Sequence, residues 1–90
     1  MRIIILGRFW NLKFVPNLGK YMGLCEDPTN KNRTIKIQKG LTKFQELQTI
    51  LHECGHAINY KMFDEEFIEE VSTNIAKILW DLGYRKTDGS

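Results

Sequence analysis

The sequence predicts a small α+β domain, in which an N-terminal antiparallel sheet of about three strands packs on two antiparallel helices. Residues 1–15 are rich in Ile, Phe, Trp and Val, and residues 34–38 alternate between apolar and polar side chains; both patterns are typical of strands. From Leu41 onward, apolar residues recur at spacings of three and four, which is typical of amphipathic helices. A chain of 90 residues has room for one modest hydrophobic core, so we expect a single domain over residues 1–90.

Composition and charge exclude several classes of function. The hydrophobic share of 42% and the charged share of 27% are ordinary for a soluble globular protein. The net charge of +2 is small and dispersed, so we expect no nucleic-acid partner. The run Ile3 to Leu6 is too short for a secretory or membrane-spanning segment, so we expect no membrane association and a cytoplasmic location. The two cysteines, Cys25 and Cys54, should then stay reduced and serve as small apolar residues.

Residues 34–38 form the most regular of the predicted strands. Alternate side chains of this run point to opposite faces, so two isoleucines share one face and three polar residues share the other. Its shortness and the nearby lysines favour an edge strand, to which an extended peptide could add by backbone hydrogen bonds. The residues of this predicted substrate edge are Thr34, Ile35, Lys36, Ile37 and Gln38.

The first predicted helix begins after Thr42 and runs to about Met62. Thr42 is a suitable N-cap, and Gln45 three residues later can complete a capping box. We expect one apolar stripe of this helix to face the core. Its members are Phe44, Leu47, Leu51, Cys54 and Ile58.

The second predicted helix begins after Asp64, which can cap it. Glu65 and Glu66 then lie in the first turn, where the helix dipole favours negative charge, and Gly83 ends the helix as its C′ residue. We expect an apolar face on this helix to pack on the core. That face consists of Phe67, Ile68, Val71, Ile75, Ile78, Leu79 and Leu82.

The segment HECGH, residues 52–56, carries both histidines of the chain on the first helix. Histidines at i and i+4 project from one face about a turn apart, so His52 and His56 can bind one metal ion. They lie well away from the predicted apolar stripe. Glu53 directly follows the first histidine, where a carboxylate can take a proton from a zinc-bound water without binding the zinc itself. The pattern is the H-E-x-x-H signature of zinc metallopeptidases.

The third zinc ligand should be a carboxylate, because the chain has no third histidine. If the first helix runs to about Phe63 and the second doubles back, Glu70 lies level with His56. On the helical wheel Glu70 flanks the apolar face and can turn inward, whereas Glu69 should face water. Glu66 lies on the same side as Glu70 and one turn nearer the hairpin, so it is the alternative ligand.

HECGH together with EVSTN, residues 70–74, resembles the gluzincin clan of zinc metallopeptidases, in which H-E-x-x-H is followed on the next helix by E-x-x-x-D/N. The layout looks most like compact ImmA/IrrE-type metallopeptidases of phages and mobile elements, or minigluzincins. The resemblance covers roughly residues 33–82 and leaves the first 30 unmatched. It implies Glu70 as a zinc ligand and Asn74 as the residue that supports a histidine ligand, where thermolysin-like members have Asp.

The resulting hypothesis is a zinc-dependent peptidase with one Zn²⁺ per chain that acts on a peptide or protein substrate. Tyr60, one turn beyond His56, is a candidate stabiliser of the oxyanion. The alternative is a catalytically silent module in which zinc staples a small fold for binding or regulation. A structural site has no need of Glu53 and would rather close its fourth position with Cys25 or Cys54. Oligomeric state is left open by the sequence.

Overall fold

The structure, a computed structural model, describes residues 1–61 and 64–87. Four strands and two helices confirm the predicted α+β class. Within the described residues, neither helix has the length and apolar character needed to cross a membrane. Met62, where α1 was expected to end, lies outside the described residues. The elements are β1 (Arg2–Ile5), β2 (Arg8–Val15), β3 (Gly23–Cys25), β4 (Thr34–Gln38), α1 (Lys43–Ile58) and α2 (Glu65–Asp81).

The sheet is mixed and has the strand order β1-β2-β4-β3, so the prediction of about three antiparallel strands is corrected to four. β1 and β2 form an antiparallel hairpin. Its turn, Leu6-Gly7, has positive φ at both residues (50° and 76°), as the tight hairpin turns that match strand twist require. β2 and β4 pair in parallel, which is possible because residues 16–33 provide the long crossover that parallel strands need.

β4 is an interior strand, so the prediction that residues 34–38 form an edge is wrong. β2 pairs with β4 on one side and β3 pairs with it on the other. Ile35 and Ile37 are fully buried, and Thr34 is buried as well. β3 is the open edge in place of β4. Its three residues are too few to show an alternating pattern, so the sequence does not indicate that this segment forms a strand and pairs with β4.

The core lies between the sheet and α1. Trp10 and Leu12 of β2, Ile35 and Ile37 of β4, and Ala57 of α1 form the buried cluster. The face of α1 toward the sheet carries Thr49, Glu53 and Ala57, which are buried. Cys54 packs against the cluster as predicted, but Ile58 of the predicted stripe is exposed. The face of α1 that packs on the sheet therefore differs from the face that hydrophobic periodicity indicates: the two are rotated from each other about the helix axis.

α2 begins and ends as predicted but turns a different face inward. The Asp64 side chain accepts from the Phe67 N–H, and Gly83 ends the helix with φ 93°. The buried residues of α2 are Ile68, Ser72 and Ala76. Phe67 and most other large apolar residues of the predicted face are exposed, so that part of the prediction is wrong. Small residues at the contact allow a close helix approach: a Cβ added at Gly55 would lie 3.2 Å from Ile68 Cγ2.

Candidate metal centre

The two histidines of α1 lie side by side at the open face of the helix. Both members of the predicted capping box, Thr42 and Gln45, form their hydrogen bonds and fix the start of α1. His52 and His56 follow one turn apart, and their Nε2 atoms are 3.2 Å from each other. Both side chains are largely buried. The sequence spacing therefore brings two imidazole nitrogens to one point, as predicted.

Glu65, the first residue of α2, completes a three-residue group. Its Oε1 lies 2.7 Å from His52 Nε2, and its Oε2 lies 2.9 Å from His56 Nε2. Among the described residues, the ligand atoms of His52, His56 and Glu65 form the group of imidazole and carboxylate atoms that could hold a metal ion, all within 4.8 Å of one another. Neither Glu70, the predicted ligand, nor Glu66, its alternative, belongs to this group.

The spacing of these donor atoms fits a small divalent ion. A tetrahedral site with metal–ligand bonds of about 2.0–2.2 Å holds its ligand atoms roughly 3.3–3.5 Å apart. The contacts among His52, His56 and Glu65 are 2.7–3.2 Å, so an ion requires the donors to separate by only a few tenths of an ångström. Two imidazoles and one carboxylate form the donor set typical of catalytic zinc, which keeps a fourth position open.

Glu69 holds His52 from the other side of the ring. Its Oε2 lies 2.9 Å from His52 Nδ1, which leaves Nε2 directed at Glu65 and His56. A carboxylate on the second ring nitrogen fixes the tautomer and orientation of a metal-binding histidine. The resemblance assigned this role to Asn74. In the structure the Asn74 amide instead donates to the Glu70 backbone oxygen at 2.7 Å, and Asn74 is exposed.

The rotation of α2 explains why Glu65 and Glu69 replace Glu70 at the histidines. α1 ends at Ile58, several residues before the predicted end, so the hairpin offset used to choose Glu70 does not apply. Glu65, Glu69, Ser72 and Ala76 share one side of α2, at spacings of four, three and four. Since Ser72 and Ala76 are buried, this side faces α1. Glu70 lies about 100° further round the helix from Glu69 and is exposed.

Glu53 lies beside the histidines, on the side of α1 that faces β3. It is 7% exposed, and burial raises the pKa of its carboxyl group; His52 opposes this shift and Glu65 adds to it. A Cβ added at Gly23 would lie 2.8 Å from Glu53 Cγ and 3.0 Å from Glu53 Oε2. The absence of a side chain at Gly23 therefore gives the Glu53 carboxylate its place between β3 and α1.

A cleft of about 450 Å³ opens over this group. Its floor is formed by His52, His56 and Glu53 of α1, and one wall by residues 20–25, which include β3. Tyr60, the predicted oxyanion stabiliser, lines the cleft, and so does Tyr21, which sequence reasoning did not single out. The cleft joins a buried carboxylate, a candidate metal group and an open strand edge in one space.

The cysteines do not take part in the candidate metal group within the described residues. Both are free, and Cys25 lines the cleft. Burial raises the pKa of the Cys25 thiol to about 12, with the negative charge of Glu53 as the next cause. Among the described residues, the candidate group offers two imidazole nitrogens and one carboxylate oxygen.

Of the residues in and around this candidate metal centre, the sequence singled out His52, Glu53 and His56 as site residues, but not Glu65, Glu69 and Gly23. One signal was available: Glu65 and Glu69 repeat the i, i+4 spacing of the histidines, as expected for two facing pairs across a helical hairpin. Gly23 had no comparable signal, because its role depends on the approach of β3 to α1. The chain matches no protein-family model, no curated protein and no solved structure in comparisons with all three.

Proposed function

We propose that the chain is a zinc-dependent metallopeptidase that holds its ion with His52, His56 and Glu65. The observation that carries this proposal is a buried carboxylate, Glu53, placed directly beside a two-histidine, one-carboxylate group in an open cleft. A purely structural metal site has no use for that carboxylate. Three acidic residues around the imidazoles, Glu53, Glu65 and Glu69, also favour the binding of a cation.

The side chains of the site have different roles in the proposed peptide hydrolysis. A bound zinc ion supplies a Lewis acid that makes water acidic near neutral pH and polarises the scissile carbonyl. Glu53 accepts the proton of the attacking water and later donates it to the leaving amine. The raised pKa of Glu53 brings proton uptake and release closer to neutral pH, which suits this double role. Glu69 keeps His52 in the tautomer that directs Nε2 to the ion.

The outer edge of β3 is the proposed site for an extended substrate, in place of residues 34–38. Gln38 N–H donates to Met22 O, and Glu26 N–H donates to Thr34 O. Residues that hydrogen-bond to the neighbouring strand alternate along an antiparallel strand. The backbone groups of Leu24 therefore also point to β4, whereas those of Gly23 and Cys25 point outward. A peptide that adds to this edge lies along the cleft wall, with main-chain hydrogen bonds that do not depend on its sequence.

Replacing Gly23 by Ala is expected to lower kcat/KM by at least about ten-fold while the zinc content stays unchanged. The new methyl group would lie 2.8 Å from Glu53 Cγ and from Thr49 Cγ2, so either Glu53 or β3 must move. Ile4→Ala is the control, because Ile4 is exposed on β1 and does not line the cleft. Zinc analysis and peptide hydrolysis measure both effects. Wild-type kcat/KM in the Gly23 variant would contradict the role given to this contact.

We propose zinc as the ion and the cytoplasm as the compartment. The two free cysteines agree with a reducing environment.

The purified chain is expected to bind one zinc ion and to cleave members of a mixed pool of quenched fluorescent peptides. Removal of zinc by a chelator should abolish cleavage, and added zinc should restore it. A chain that binds one zinc ion and cleaves no peptide in the pool would support the silent zinc-stapled module instead.

A further inference from the structure

An apolar stripe runs along the side of α2 that faces away from the metal centre. Its side chains are between 38% and 69% exposed. At about 100° per residue they fall within one sector of roughly 80°, over a length of about 22 Å. A contiguous apolar surface of this kind is typical of a site of protein association. We call it the α2 outer face, and it consists of Phe67, Val71, Ile75, Ile78 and Leu82.

The positions in the α2 outer face are nearly symmetric about a point between Asn74 and Ile75. The spacings are four, four, three and four from the N-terminal end, and four, three, four and four from the other end. In an isologous interface the same patch serves on both sides of a two-fold axis, so this symmetry lets each apolar position meet an apolar position of the partner. Two antiparallel copies of α2 would place Phe67 against the partner's Leu82 and Val71 against the partner's Ile78. Ile75 would lie at the axis.

The charges beside the α2 outer face fit the same arrangement. Glu70 lies about one helical turn before the centre of the α2 outer face, and Lys77 lies about one turn after it. Both residues are on the same flank of this face. Neither side chain forms an ion pair within the described part of the chain. In the antiparallel pair Glu70 meets the partner's Lys77, and the contact occurs twice. A parallel pair related by a two-fold axis along the helices would put these flanks on opposite sides of the interface, so Glu70 and Lys77 would not meet in it.

We propose that two copies of this chain associate through their α2 outer faces as an antiparallel, two-fold symmetric dimer. A groove between the helices, lined in part by Leu51, Ile58 and Phe67, continues the apolar surface beside the N-terminal end of the stripe. The partner's Leu82 is positioned to enter this end of the interface. Glu65 and Glu69 lie on the opposite side of α2, toward α1, so the dimer leaves the cleft open and does not depend on the proposed activity.

Sedimentation velocity over a range of concentrations tests the interface. The wild-type chain should sediment as a species of twice its mass of 10.6 kDa. Ile75→Asp places two carboxylates at the axis and should raise the dissociation constant by more than about 100-fold. Ile4→Asp is the matched control, since Ile4 is 65% exposed on β1. It should leave the dimer intact, and circular dichroism confirms that both variants are folded.

Charge exchange tests the antiparallel orientation. Glu70→Lys and Lys77→Glu should each weaken the dimer by about ten-fold, and the double variant should recover to within about three-fold of wild type. A wild-type chain that stays monomeric up to about 0.5 mM would overturn the proposal. So would an Ile75→Asp variant that dissociates no more than Ile4→Asp, or single charge variants with no effect on association.

Discussion

Replacing Glu53 by Gln is expected to lower kcat by about 10²–10⁴-fold, the usual contribution of a general acid–base group, while zinc stays bound. Gln has nearly the shape of Glu and can occupy the same space beside Gly23 and Thr49. It cannot accept a proton from water, so the step that depends on the carboxylate is lost. The ligand atoms of His52, His56 and Glu65 are not altered by the change.

The fold should tolerate this substitution at Glu53. Burial raises the pKa of the Glu53 carboxyl group, which means that the charged form is destabilised in its present place. A neutral amide removes that destabilisation, so we expect the Tm of the variant to equal or exceed that of the wild type when both are measured without zinc. Loss of hydrolysis can therefore be separated from unfolding.

Three measurements on one preparation decide the role of Glu53: peptide hydrolysis, zinc content and thermal unfolding. Glu46→Gln is the matched control on the same helix, because Glu46 pairs with Lys86 at 2.8 Å and lines no part of the cleft. It should lose a little stability and no activity. If the Glu53 variant cleaves peptides at the wild-type rate, another group must act as the base and the proposed mechanism is wrong.

Local signals in the sequence predict a large part of the fold and part of the candidate metal centre. The capping box of Thr42 and Gln45, the Asp64 cap and the glycine stop at Gly83 all depend on contacts within a few residues, and all three form as predicted. The histidine pair belongs to the same class, because its geometry follows from helical spacing alone. These features need no knowledge of how distant parts of the chain pack.

The position of β3 and the parallel pairing of β2 with β4 depend on distant contacts. β3 contains only three residues and gains its hydrogen bonds from β4, about ten residues further along the chain. A segment this short shows no periodicity of its own. The edge assigned to residues 34–38 was wrong for this reason: Lys36 suits an edge locally, but nothing local reveals the strand that covers it.

The orientation of α2 could not be read from its hydrophobic periodicity because two of its faces are suited to packing. Ser72 and Ala76 allow close contact with α1, and the large side chains at Val71 and Ile75 lie on the other side. A helical wheel identifies the most apolar face but does not say which surface it meets. If the α2 outer face pairs with a second copy, the face that hydrophobic periodicity indicates is a buried one, but it is buried against the partner and not against α1.

Replacing Glu65 by Ala is expected to weaken zinc binding by at least about 100-fold, since loss of a direct ligand should exceed the 10–100-fold effect typical of an outer hydrogen-bonding partner. Glu65 is the carboxylate that contacts the Nε2 atoms of both His52 and His56. Glu69→Gln should show the smaller effect, about 10–100-fold, because Glu69 acts through His52 Nδ1. Glu70→Ala should bind zinc within about three-fold of the wild type.

The Glu65 result needs a control for helix stability, because an acidic residue in the first turn stabilises α2 by about 0.3–1 kcal/mol through the helix dipole. Glu66→Ala supplies it, since Glu66 lies in the same turn and outside the metal group. The two variants should lose similar stability without zinc, and only Glu65→Ala should lose the extra stabilisation that zinc gives the wild type. If Glu70→Ala loses zinc and Glu65→Ala keeps it, the ligand implied by the family resemblance is correct and the arrangement of α2 at the histidines is not the one that binds metal.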